Sequence, residues 1–171
     1  MHHISLPRVG MRVTKTVIAA FLCAMLGYLR GQVPFYSMIA AILCLQKDLG
    51  QSGKVARNRI IGTLLGGLFG FLALIFVKYT HMTAHTPLYY FFICLCLLPL
   101  IYLTVLIEKK PASYITCVVF LSITVSHISD EVPALFVVHR VLDTLIGIVV
   151  SLLVNRLLPG SKDSTPDKAE P

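Results

Sequence analysis

Six apolar stretches with few or no charged residues constrain what this chain can fold into. They cover residues 16–29, 31–46, 60–77, 87–107, 111–129 and 133–158, and only the last contains charged side chains. A helix needs about 20 residues, with a range of roughly 17–25, to cross a bilayer. Three stretches reach that range outright. The first is shorter, but Lys15 and Arg30 can snorkel and so extend the span. The second is short enough to be a re-entrant helix. The sequence predicts an all-α, polytopic membrane bundle of about six transmembrane helices.

Composition supports a membrane assignment. Hydrophobic residues make up 56% and charged residues 13% of the 171 residues, and the mean hydropathy is +0.80, whereas a soluble chain carries about 25% charged residues. We expect a transmembrane domain over residues 12–158, a short cytoplasmic N-terminus over residues 1–11, and a disordered cytoplasmic tail over residues 159–171. Because residues 24–30 form a poor cleavage site, the first apolar stretch is predicted to be an uncleaved span.

The distribution of Lys and Arg predicts the orientation. With six spans and a cytoplasmic N-terminus, 12 of the 15 Lys and Arg residues fall inside, which leaves Arg30, Lys78 and Arg140 outside or near the outer face. The positive-inside rule then places both termini in the cytoplasm of a cell (inner) membrane protein. Basic residues beside spans also contact anionic lipids. The formal net charge of +7 is therefore explained by the lipid bilayer, without nucleic acid as a partner.

A pattern of Arg, Thr and Gly occurs twice, 81 positions apart. Residues 59–66 read RIIGTLLG, and residues 140–147 read RVLDTLIG. Duplication of a unit with an odd number of spans gives two copies of opposite orientation, an arrangement typical of transporters. We predict two inverted three-helix repeats, over residues 12–81 and 87–158.

Small residues recur on the third apolar stretch with helical spacing. Three glycines four residues apart form a stripe that lets two helix backbones approach closely. The second copy replaces the first of them with Asp143. The predicted helix-packing residues are Gly62, Thr63, Gly66, Gly70, Thr144 and Gly147. Packing alone explains such a stripe, and lining of a substrate path is the alternative.

Charged residues inside the predicted spans are candidates for function. Ser52 and Pro133 suit the first turns of the third and sixth helices, which puts Arg59 and Arg140 each seven residues into a helix. A charge at that depth is costly unless it faces protein or water. For Arg59, an interfacial anchor is the alternative to a functional role. Asp143 follows Arg140 by three residues, so an ion pair on one helix face is the first interpretation, and proton transfer by Asp143 is the second.

The sequence predicts no metal, no cofactor and no catalytic residue. All five cysteines lie inside predicted spans and are interpreted as packing residues; they are Cys23, Cys44, Cys94, Cys96 and Cys117. His81 and His85 are four residues apart but have no third ligand nearby, which favours solvated loop residues over a metal site. Motifs of hydrolases and metalloproteases are absent, so we do not expect an enzyme.

Three segments resemble a known family. They are residues 15–20 (KTVIAA), 34–46 (PFYSMIAAILCLQ) and 59–67 (RIIGTLLGG), which are similar to the aromatic acid exporter and fusaric acid resistance (FUSC-like) superfamily. The resemblance covers residues 12–158 and implies an inner-membrane, multi-span protein associated with efflux of aromatic or other organic acids. Members are often longer, so oligomerisation is expected to complete the pathway here.

Two functions from different classes fit these features. The first is a homo-oligomeric secondary exporter of small amphipathic organic anions, driven by the proton gradient. In this interpretation Arg59 and Arg140 attract the anion from opposite sides, Phe35 and Tyr36 contact its ring, and Asp143 carries protons. The alternative, favoured by the small size of the chain, is a non-transporting membrane assembly or accessory module. In that case the glycines pack helices and the charges set topology.

Overall fold

Six α-helices make up most of the chain in the computed structural model, which describes residues 10–126 and 133–158. They are α1 (Met11–Leu29), α2 (Phe35–Cys44), α3 (Leu49–Tyr79), α4 (Pro87–Leu106), α5 (Ser113–Ser126) and α6 (Pro133–Leu157), with a 3-10 turn at Lys110–Ala112. The described residues contain no strand. The all-α membrane bundle predicted from the sequence is confirmed.

The helices fall into two length classes. Four of them, α1, α3, α4 and most of α6, are long and apolar enough to cross a membrane, and α3 with 31 residues is about 46 Å long. The second apolar stretch forms a helix of 10 residues, about 15 Å long, which is the short form considered for it. The fifth stretch is helical through Ser126, a helix of 14 residues; its residues 127–129 lie outside the described part of the chain.

The chain between α2 and α3 leaves helical geometry inside the protein. Leu45 is buried there, and polar side chains satisfy the freed backbone groups. The Gln46 amide donates to Ser52 Oγ at 3.0 Å, and Asn155 Nδ2 donates to the Gln46 carbonyl at 3.1 Å. Asn155 also donates to Ser52 Oγ and accepts from Lys15 Nζ, both at 3.0 Å. Backbone groups that leave a helix need other hydrogen-bond partners, and this polar cluster supplies them where α2 ends.

Two expectations at this end of the bundle were wrong. Lys15 does not snorkel to the surface but is only 4% exposed, because Asn155 offers its ammonium group a polar partner inside the protein. Ser52 lies in the first turn of its helix but is not its N-cap. Instead α3 begins at Leu49, after an Asp48 cap that accepts from the Gln51 amide at 2.7 Å. Ser52 is thereby free to bind the unwound segment.

Glycines allow the closest helix contacts. A Cβ placed on Gly66 of α3 would lie 2.5 Å from the Thr116 carbonyl oxygen and 2.9 Å from Val119 Cβ, both on α5. Gly62 and Gly70 meet the same helix one turn before and one turn after. The glycine stripe of α3 therefore lies directly against the α5 backbone.

The contact between α6 and α2 has the same form. A Cβ on Gly147 would collide with the Ser37 carbonyl oxygen and would lie 2.6 Å from Ala40 Cβ and 3.0 Å from the Ala41 nitrogen. Each of these α2 residues lies 79 positions before its counterpart on α5. The two glycine contacts are thus equivalent atom by atom.

Two corners reverse the chain by the same backbone device. After α1 the amide of Gln32 donates to the carbonyl of Gly27 at 3.0 Å, and Gly31 between them has φ of 62°. After α4 an equivalent bond of 2.9 Å closes the turn, and Glu108 has φ of 56°. This arrangement is a Schellman motif, which favours glycine at the left-handed position. The first corner carries Arg30 to the side of α6.

Candidate functional site

Two neighbouring cavities share Phe35, Tyr36 and Arg140 in their linings. The corner cavity, about 360 Å³, is completed by the α1–α2 corner and α6, with Gln32, Val33, Phe136, His139 and Asp143. The central cavity, about 450 Å³, lies among α2, α3, α5 and α6. Both volumes are in the range of small-molecule sites, about 300–1,000 Å³.

Arg140 of α6 lies where the two cavities meet. Its guanidinium carbon is 3.4 Å from the centre of the Tyr36 ring, a cation–π contact that orients the group. The residue is 5% exposed, and its Nε and Nη1 have no hydrogen-bond partner within the described residues. Buried donors without partners are costly, so this side chain retains unused capacity to bind an anion.

Asp143 pairs with Arg30 rather than with Arg140. Its Oδ1 accepts a hydrogen bond from Arg30 Nη1 at 2.7 Å, so the two side chains form an ion pair. The predicted Arg140–Asp143 pair on one face of α6 is therefore wrong. The α1–α2 corner brings Arg30 to Asp143, while Tyr36 covers the face of the Arg140 guanidinium. As a result, the charge of Arg140 is not neutralised by its neighbour in sequence.

Arg59 of α3 lines the central cavity together with Arg140. It is 6% exposed, and its Nε lacks a partner among the residues that the structure describes. This burial disagrees with the alternative of an anchor at the membrane surface. No Asp or Glu lies among the described residues that line the cavity. The two guanidinium groups therefore give the lining of the central cavity a positive charge.

Ten of the twelve residues that line the central cavity form matched pairs. Arg59 and Arg140 are 81 positions apart, and α2 and α5 contribute residues 79 positions apart. The helix pairs are Phe35 and Tyr114, Tyr36 and Ile115, Ile39 and Val118, and Leu43 and Ser122. A small cavity of about 90 Å³ between α3 and α6 is lined by Ile60 and Val141, Thr63 and Thr144, and Leu64 and Leu145. Residues at two constant offsets along the chain, 79 and 81 positions, thus line both cavities.

The structure brings together every residue proposed for the pathway. Arg59, Arg140, Phe35 and Tyr36 line the central cavity, and Asp143 lines the corner cavity beside it. The glycines proposed for packing lie instead where α3 contacts α5 and where α6 contacts α2. The two threonines lie between α3 and α6. His85 Nδ1, by contrast, is 3.0 Å from the Tyr90 hydroxyl, and the described residues contain no group of three potential metal ligands.

Sequence reasoning missed Arg30, Tyr114 and His139. Tyr114 was detectable, because aligning the sequences of α2 and α5 with an offset of 79 residues instead of 81 pairs it with Phe35. No local pattern relates Arg30 to Asp143, 113 positions away, and none singles out His139. Those two positions depend on how the α1–α2 corner meets α6.

A family model described as fusaric acid resistance protein-like matches residues 17–154. The chain belongs to this family. All residues named above as lining the corner and central cavities lie inside the match, so membership applies to the whole candidate site. Comparisons with curated proteins and with solved structures gave no match. Membership in the fusaric acid resistance protein-like family confirms the resemblance found in the sequence and indicates a multi-pass membrane protein of the transporter or efflux type.

Proposed function

We propose that this chain is an inner-membrane exporter of amphipathic organic acids, aromatic carboxylic acids among them, and acts as a homo-oligomer. The observation that carries the proposal is the presence of two buried guanidinium groups with unused donors, Arg59 and Arg140, at one cavity. Guanidinium groups bind carboxylates through charge-assisted hydrogen bonds. Phe35 and Tyr114 supply aromatic surface for the apolar part of such a substrate.

The matched linings support two inverted three-helix repeats over residues 12–81 and 87–158. Secondary transporters commonly place the substrate at the interface between such repeats, beside interrupted helices. The central cavity lies at this interface, and the short α2 and α5 both line it. Each repeat supplies one arginine, so rocking of one repeat against the other would expose Arg59 and Arg140 alternately.

Asp143 acts in this proposal as the structural partner of Arg30. The ion pair joins the α1–α2 corner to α6 at the rim of the corner cavity. Its geometry favours this role over proton transport, because the carboxylate already has a cationic partner at hydrogen-bond distance.

The proposed topology, with both termini in the cytoplasm, can be tested by labelling single cysteines. Lys54→Cys near the start of α3 and Thr83→Cys between α3 and α4 are exposed positions at opposite ends of α3. A membrane-impermeant maleimide applied to intact cells should label position 83 and not position 54. Equal labelling of both from outside would contradict the topology.

Transport can be tested with the purified full chain in liposomes loaded with radiolabelled benzoate. The parent protein should release benzoate faster than protein-free liposomes, and Arg140→Gln should lower the rate about tenfold or more, since it removes a charged hydrogen-bond donor. Arg57→Gln, which removes an exposed positive charge of α3 that lines neither the corner cavity nor the central cavity, is the matched control and should transport like the parent. No flux from the parent would favour the accessory module, and equal flux from Arg140→Gln and Arg57→Gln would exclude Arg140 from the pathway.

A further inference from the structure

The central cavity holds two positive charges, and no negative charge lines it among the described residues. Arg59 and Arg140 are at most 6% exposed, and three of their N–H groups have no partner in the described part of the chain. A buried charge without a partner is strongly unfavourable. One carboxylate of a bound acid neutralises only one of the two groups.

The two charges reach this cavity from different helices. Arg59 comes from α3 and Arg140 from α6, at matching positions of the 81-residue repeat. Phe35 of α2 and Tyr114 of α5 form another matched pair in the lining. A molecule bound in this cavity can therefore contact both buried guanidinium groups and the aromatic side chains that line the cavity with them.

We propose that the central cavity binds one molecule with two carboxylates separated by an aromatic centre, one carboxylate on Arg59 and the other on Arg140. This inference rests on the proposed function, because it assigns the substrate class of the same cavity. The volume of about 450 Å³ is suitable for such a small molecule. The corner cavity does not compete for it, since its carboxylate, Asp143, is paired with Arg30.

Isothermal titration calorimetry on the detergent-purified full chain tests the inference with benzene-1,4-dicarboxylate and benzoate as probes. The dicarboxylate should bind with a stoichiometry of one and about tenfold or more tighter than benzoate, because the second charge-assisted contact is available only to it. Arg59→Gln and Arg140→Gln should each reduce this preference to about twofold or less. Arg57→Gln should leave the preference unchanged.

Equal affinity for the two probes in the parent protein, or two benzoates per chain, would overturn the inference. Benzoate binding would then still support export of singly charged acids, so the proposed function would survive. If neither probe binds, both the inference and the proposed site fail. Gel filtration checks that the variants are folded. A folded Arg59→Gln or Arg140→Gln variant that keeps the full preference for the dicarboxylate also overturns the inference, and either of these two variants is sufficient for this comparison.

Discussion

Replacing Gly66 by alanine should force α3 away from α5. The new Cβ would lie 2.5 Å from the Thr116 carbonyl oxygen, whereas ordinary contact begins at 3.4 Å, so the atoms must separate by about 0.9 Å. The oxygen and the Phe120 nitrogen at 3.2 Å belong to the α5 backbone. Neither can rotate away as a flexible side chain would, and the helices themselves have to move.

The expected size of the effect is a balance of two terms. Overpacking of a tight interface costs about 1–3 kcal/mol, while alanine is favoured over glycine in a helix by about 1 kcal/mol. Because Val119 Cβ is also too close at 2.9 Å, the cost should lie in the upper part of its range. The free energy of unfolding should therefore fall by about 1–2 kcal/mol. Gly53→Ala is the matched control on the same helix: a Cβ there meets no atom within 4 Å, and its stability should rise by up to about 1 kcal/mol.

Reversible unfolding by SDS in mixed micelles, followed by far-UV circular dichroism, measures both variants against the parent. Gly147→Ala should cost as much as Gly66→Ala, since its contact with α2 is the equivalent one. If Gly66→Ala is as stable as Gly53→Ala, the packing explanation fails. A cost confined to one of Gly66 and Gly147 would show that the two interfaces are not equivalent.

Three further predictions concern the ion pair, the two corners and the polar cluster. Asp143→Asn should lower the free energy of unfolding by about 1–3 kcal/mol, and adding Arg30→Gln should recover at least half of it in thermal melts; a double variant no more stable than the single one would contradict the pairing. Glu108→Gly should raise the free energy of unfolding by about 1 kcal/mol, because glycine adopts the left-handed backbone conformation without strain, whereas Gly31→Ala should lower it by a similar amount. Unfolding in SDS measures both variants, and a change of the same sign in both would contradict the corner geometry. Asn155→Ala leaves a lysine ammonium and a backbone carbonyl without their partner, so it should lower the free energy of unfolding by about 2 kcal/mol or more. The same assay measures it, and an unchanged midpoint would show that the polar cluster is dispensable.

Much of the helical order was predictable because its causes are local. The positions of the charged residues are enough to delimit the apolar stretches, and the 81-residue repeat is enough to identify Arg59 and Arg140 as a related pair. The structure places both at one cavity with Phe35 and Tyr36. The helix ends were less predictable, because Ser52 is used by the unwound segment rather than as a cap.

The errors concern contacts between residues that are distant in sequence. A spacing of three residues favours an Arg140–Asp143 pair on an isolated helix, but Arg30 arrives from another helix and Tyr36 covers the arginine. Likewise, Lys15 near a span end usually reaches water, yet here Asn155 accepts a hydrogen bond from its ammonium group inside the bundle. Both outcomes depend on tertiary packing, which a single sequence does not reveal.

The short helices α2 and α5 also shape the electric field of the central cavity. The first residues of α2, Phe35 and Tyr36, line it, as does Tyr114 in the first turn of α5. Aligned peptide dipoles give the N-terminus of a helix a charge equivalent to about +0.5. The cavity also extends to Leu43 near the end of α2 and to Ser126 at the end of α5, so it borders both the positive and the negative ends of these dipoles. The preference of this cavity for an anion therefore depends on its two arginine side chains rather than on the backbone.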